Sequence, residues 1–186
     1  MYEKGNTENI QLKNHCVFCG KKPEKKSREH VIPKWLIKLT GDLNRKMTLP
    51  RINEDLKSEE IKISFSDLNT ISCTKCNISF SKFEKDAKKV FNDLLIDKPL
   101  SSEDLNIILD FFDKIRVGLR INYLKINHNP FEINPKYYIS SRLRQKDRLL
   151  LIYKTNFNKS TLQVIGANTL VFQLSPCCFG LILNNS

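Results

Sequence analysis

The chain lacks any apolar run near the roughly 18 residues that a membrane-crossing helix needs, so no membrane partner is expected. Its first residues, "MYEKGNTENIQLKN", hold no apolar core of a secretion signal, and a cytoplasmic location is the expectation. Repeats and low-complexity blocks are absent. Acid is in short supply: 20 Asp and Glu stand against 31 Lys and Arg, a formal charge of +11. Such a surface attracts phosphate backbones. Histidine is scarce, with His15, His30 and His128 the three present. A disulfide framework is not expected of six cysteines in a reducing compartment, and no strand-CxxC-helix pattern points to a redox dithiol.

What is present begins with length and apolar content. At 186 residues and 40% hydrophobic, the chain can bury a real core. Four cysteines form two pairs, Cys16-x-x-Cys19 and Cys73-x-x-Cys76. Each pair can seat two thiolates on one metal from a tight knuckle, and two knuckles complete the tetrahedral sulfur shell that zinc prefers. Residues 20–72 lie between the pairs, too many for one hairpin, so the pairs bracket inserted structure. Directly before Glu29-His30 stands a basic cluster, "KKPEKKSR", with Lys21, Lys22, Lys25, Lys26 and Arg28.

Periodicity gives a coarse order. "EHVIP" reads as a short strand ended by Pro33, and "KWLIKLTG" as a short helix stopped at Gly41. Residues 42–60 read as loop or an irregular hairpin. "EIKISFSDL" alternates Ile61, Ile63 and Phe65 as a strand does. A helix then opens near Cys76, with Phe80, Phe83, Ala87, Val90, Phe91 and Leu94 on one stripe. After Pro99, Glu103 and Asp104 suit the N-terminus of a second helix. Its stripe is Leu105, Ile108, Leu109, Phe112, Ile115, Leu119, Tyr123 and Ile126, and "NHNPFEINP" ends it. Five short segments follow as strands: "KYYIS", "RLLLIYK", "TLQVIG", "TLVFQL" and "CFGLIL", with a hairpin turn at Gly166. The expected class is α+β: residues 1–100 as a zinc domain and 101–186 as an α+β extension packed on it. The extension holds no site-like cluster of His, Asp and Glu. Its basic group Arg142, Arg144, Lys146 and Arg148 suits phosphate contacts at a turn. Trp35 is expected in the core under the knuckle. No chemistry is assigned to His15 or His128, and Cys177-Cys178, on opposite faces of a strand, form no second metal site.

Glu29, His30 and Asn77 are the residues whose types suit phosphodiester hydrolysis. A neutral imidazole takes a proton from water near pH 7, and Glu and Asn oxygens are hard ligands for a divalent cation. "SREHVIPKW", "CTKCN" and the wider "EHVIPKWL…CTKCNISFSKFE" resemble the HNH endonucleases over roughly residues 14–95. The resemblance implies a ββα-metal core, with His30 as general base and Glu29 and Asn77 holding catalytic Mg²⁺ or Mn²⁺. It also implies structural zinc on Cys16, Cys19, Cys73 and Cys76. Many members carry an Asn nine residues before the metal-binding one. That position here is Leu68, and Asn69 stands one residue later. Either the strand is shifted by one or a backbone group substitutes. Glu84, two turns beyond Asn77, is a further candidate ligand or orienting group. The implied activity is cleavage of double-stranded DNA, in a setting such as restriction or phage defence, with a homodimer or regulatory protein as further partner. The alternative is a non-catalytic zinc-stabilised module that binds nucleic acid or a protein.

Overall fold

The computed structural model describes residues 14–52, 57–126, 139–144, 148–153, 161–163 and 180–182. It is a mixed helix and sheet architecture with small antiparallel sheets. Strand β1 (Lys26–His30) pairs with β4 (Asn69–Cys73), and β2 (Lys46–Ile52) pairs with β3 (Ser58–Ser64). Helix α1 (Lys34–Leu39) follows β1, α2 (Thr74–Leu95) follows β4 directly, and α3 (Ser102–Ile126) follows α2. A short α4 (Ile139–Arg142) and the strand pair β5 (Thr161–Gln163) and β6 (Gly180–Ile182) complete the described elements.

The polar stretch expected as loop or irregular hairpin contains β2 and the first three residues of β3, and the register of the two strands runs without a break from Lys46↔Ser64 to Ile52↔Ser58. Alternation in β3 is half-buried against exposed rather than buried against exposed, so the hydropathy signal is weak there. "KYYIS" is corrected: its last two residues, Ile139 and Ser140, begin α4. The reason lies in their backbone. Ile139 N–H donates to the Val17 carbonyl at 3.0 Å and Ser140 N–H to the Phe18 carbonyl at 2.8 Å, which fastens this turn to the first knuckle. "RLLLIYK" has no strand assigned over residues 148–153. "NHNPFEINP", "TLVFQL", Gly166, His128 and Cys177-Cys178 lie outside the described residues, as does Lys146.

The core forms where α1, α2 and α3 meet. Leu36 and Ile37 from α1, Val90 and Phe91 from α2, and Phe111 and Ile115 from α3 are buried together. Burying such side chains contributes roughly 1.5–3 kcal/mol each. Trp35 belongs to this group rather than to the knuckle: its ring lies 5.5 Å from Phe111 and 5.8 Å from Phe91. A second cluster covers the knuckle. Cys16, Val17 and Phe18 pack against Val117 and Ile121 of α3 and Ile139 of α4, with Phe80 of α2 stacked on Phe18 at 3.9 Å.

Helix α3 thus serves both clusters. Its start is fixed by a reciprocal cap: Ser101 Oγ accepts from Asp104 N–H, while Asp104 carboxylate accepts from Ser101 N–H at 2.9 Å. Further along, Gly118 lets the helix press on Val31. A Cβ at this position would lie 2.8 Å from Val31 Cγ1, closer than real methyl contacts allow. No helix among the described residues is long and apolar enough to cross a membrane.

Candidate functional site

The two Cys-x-x-Cys pairs come together. The sulfurs of Cys16, Cys19, Cys73 and Cys76 all lie within 4.8 Å of one another. A tetrahedral zinc with bonds of about 2.3 Å spaces its four sulfurs about 3.8 Å apart, so these four fit one ion such as zinc. Local chemistry builds each half. In the first knuckle, Gly20 N–H donates to the Cys16 carbonyl at 2.8 Å and Cys16 N–H to the Lys21 carbonyl at 2.9 Å. That turn requires φ = 72° at Gly20, a conformation that glycine adopts without a Cβ clash. In the second, Cys73 caps α2 and Cys76 sits in its first turn. The knuckle is tied to β4 by Val17 N–H, which donates to the Ile71 carbonyl at 2.8 Å.

Crowding four thiols has an electrostatic cost. Burial raises the Cys16 thiol, and burial with hydrogen bonding to Cys73 drives the Cys76 thiol well up. Burial also acts against the Cys73 thiolate, but hydrogen bonds from Cys76 and its neighbours outweigh it and hold that thiol low. A cation at the centre removes this conflict, since each thiolate then faces a positive charge.

The β1–β4 strand pair brings the other candidates near. Register pairs His30 with Asn69 and Glu29 with Thr70. The five-residue pairing is continuous, so Asn69, not Leu68, stands across from His30. Leu68 is buried and its carbonyl accepts from Val31 N–H at 2.9 Å. Asn69 Nδ2 donates to the Asp67 carbonyl at 2.9 Å.

Successive strand residues face opposite sides. Ser27 and Glu29 face the helices: Asn77 Nδ2 donates to Ser27 Oγ at 2.7 Å, and Glu29 is buried. Lys26, Arg28 and His30 fall on the other side, where Lys26 and Arg28 are exposed. His30 is half-buried, and its Nδ1 has no hydrogen-bond partner. Burial, then the nearby Lys34 ammonium, lowers its pKa below the ordinary histidine value, against an opposing pull from the Ser66 backbone.

The residue that sequence reasoning missed is Lys114 of α3. Its side chain is 1% exposed. Nζ lies 2.6 Å from Glu29 Oε1, donates to the His30 carbonyl at 3.1 Å, and bonds Glu84 Oε1. Three N–H donors thus meet three oxygens. Burial raises the Glu29 carboxyl and Glu84 adds to that, while Lys114 opposes it; burial prevails. The sequence neighbourhood of Lys114, "FFDKIRVGL", also holds Asp113 and Arg116 and does not single it out.

The basic turn expected to hold phosphate is partly committed elsewhere. Arg148 donates to Asp110 at 2.5 Å and to Asp113 at 3.0 Å on α3, whereas Arg144 is exposed. Among the described residues, the four cysteines are the one group of three or more His, Cys, Asp or Glu side chains close enough to share a metal. Comparison of the chain with protein-family profiles, with curated proteins and with solved structures found no match.

Proposed function

We propose that this chain is a zinc-stapled endonuclease of the HNH type that hydrolyses phosphodiester bonds of DNA with His30 as general base. The observation that carries the reading is the state of His30. It is half-buried, its pKa is lowered, its Nδ1 is buried without a hydrogen-bond partner, and it stands opposite Asn69. On its side of the β1–β4 strand pair lie exposed Lys26 and Arg28, with Lys34 close by. Neutral imidazole at pH 7 accepts a proton from water. The water oxygen then forms a bond to phosphorus as the bond to the leaving sugar oxygen breaks. The basic side chains hold the strand through its phosphates. Restriction or phage defence is the setting that the sequence resemblance implies.

The catalytic Mg²⁺ or Mn²⁺ implied by that resemblance does not fit the site as it stands. Glu29 is already paired with the Lys114 ammonium, which stands where such an ion would bind. This observation favours the second reading, a non-catalytic zinc-stabilised module that binds nucleic acid.

Supercoiled plasmid incubated with zinc-loaded protein, in Mg²⁺, in Mn²⁺ and in EDTA, separates the two. The nuclease reading expects nicked or linear product from wild type. His30→Ala should cut at least about 100-fold more slowly while binding DNA equally well. Binding without cleavage under every condition establishes the second reading instead.

A further inference from the structure

We infer that Lys114 is the chain's own resident cation for Glu29 and Glu84, and that these carboxylates take no divalent ion while α3 is docked. Ion occupancy at these carboxylates is independent of whether the chain cleaves DNA.

Three oxygens from two separate elements converge on one point: Glu29 Oε1 and the His30 carbonyl from β1, and Glu84 Oε1 from α2. Carboxylate and carbonyl oxygens at one point are what Mg²⁺ or Mn²⁺ would require. The point is filled by an ammonium that a third element delivers, and that ammonium is almost wholly buried. A divalent ion on Glu29 would sit about 2.1 Å from its oxygen. It would then be in like-charge contact with Nζ, which lies 2.6 Å from the same oxygen. Around so deeply buried an ammonium, that repulsion is screened less than in bulk water. Lys114 and the ion therefore exclude each other.

Delivery depends on how α3 lies. Lys114 is one turn before Gly118, where the missing side chain allows close approach to Val31. The residue after His30 thus receives the helix, and the ammonium follows one turn earlier. Two carboxylates meet one ammonium, so the local balance stays negative. Removing the ammonium leaves a more negative pocket with all three oxygens still in place.

The test titrates Mn²⁺ into the zinc-loaded full chain and reads free Mn²⁺ by electron paramagnetic resonance. Wild type and Glu29→Gln should bind Mn²⁺ alike. Lys114→Met should gain about one site per chain, at least tenfold tighter than any in wild type, and Lys114→Met/Glu29→Gln should lose it. Should Lys114→Met fail to fold, the comparison of wild type with Glu29→Gln decides alone. A tenfold or greater weakening of wild-type Mn²⁺ binding by Glu29→Gln overturns the inference. So does a folded Lys114→Met that gains no site dependent on Glu29.

Discussion

At the scale of single residues, His30 responds to five influences at once. Burial and the Lys34 and Lys114 ammoniums disfavour its charged form, while the Ser66 backbone and the Glu84 carboxylate favour it. Burial and the ammoniums prevail, so the folded pKa lies below the unfolded value of about 6.5. Between those two values the unfolded chain binds more protons than the folded one, and stability rises with pH there. Its contribution is fully present above about pH 6.5 and is lost as pH falls through the folded value. Urea unfolding measured across this range should show that slope in wild type and a shallower one in His30→Gln. Any cleavage that uses neutral His30 should rise with pH with its midpoint below about 6.5. An NMR titration placing the His30 pKa above 6.5 would contradict both.

Among elements, α3 governs the most. It supplies Phe111 and Ile115 to one core, Val117 and Ile121 to the other, and Lys114 between them. Gly118→Ala tests that seating. Alanine favours a helix over glycine by about 1 kcal/mol, but its Cβ would meet Val31 Cγ1 at 2.8 Å. Overpacking of this kind costs roughly 1–3 kcal/mol and more where neighbours cannot yield. A net loss of about 1 kcal/mol is expected, read as a lower Tm. Val31→Ala/Gly118→Ala should recover part of it, because the smaller side chain removes the clash. A Gly118→Ala protein more stable than wild type would show that α3 does not lie so close. The same helix shows where sequence reading succeeds and stops. Periodicity placed α3 and α2, and the stripes named Ile108, Ile115, Ala87, Val90 and Phe91, all of which are buried. It left out Phe111, Val117 and Ile121, since one stripe presumes one buried face and α3 has two. It had no means to find Lys114. A buried lysine is legible through its partners, and Glu29 and Glu84 are remote in sequence and joined to it by the fold. The displaced Asn69 was likewise a question of register, which spacing to Asn77 cannot answer and strand pairing can.

For the whole molecule, the cysteine cluster is the common fastening. Cys16 and Cys19 belong to a knuckle hydrogen-bonded to β4, Cys73 ends β4, and Cys76 begins α2. Val117, Ile121 and Ile139 close over that knuckle, so α3 and α4 pack against the same centre. A metal there links the strand pair, α2 and the cover of α3 and α4 in one place, and its binding free energy becomes folding free energy. A redox dithiol would ask for two cysteines, not four sulfurs around one point. X-ray absorption at the zinc edge, on protein purified with zinc and with metal content measured in parallel, tests this most directly. About one zinc per chain is expected, with four sulfur neighbours at about 2.3 Å and no nitrogen or oxygen shell. Metal-free protein that melts cooperatively, or zinc bound mainly through nitrogen and oxygen, would contradict it.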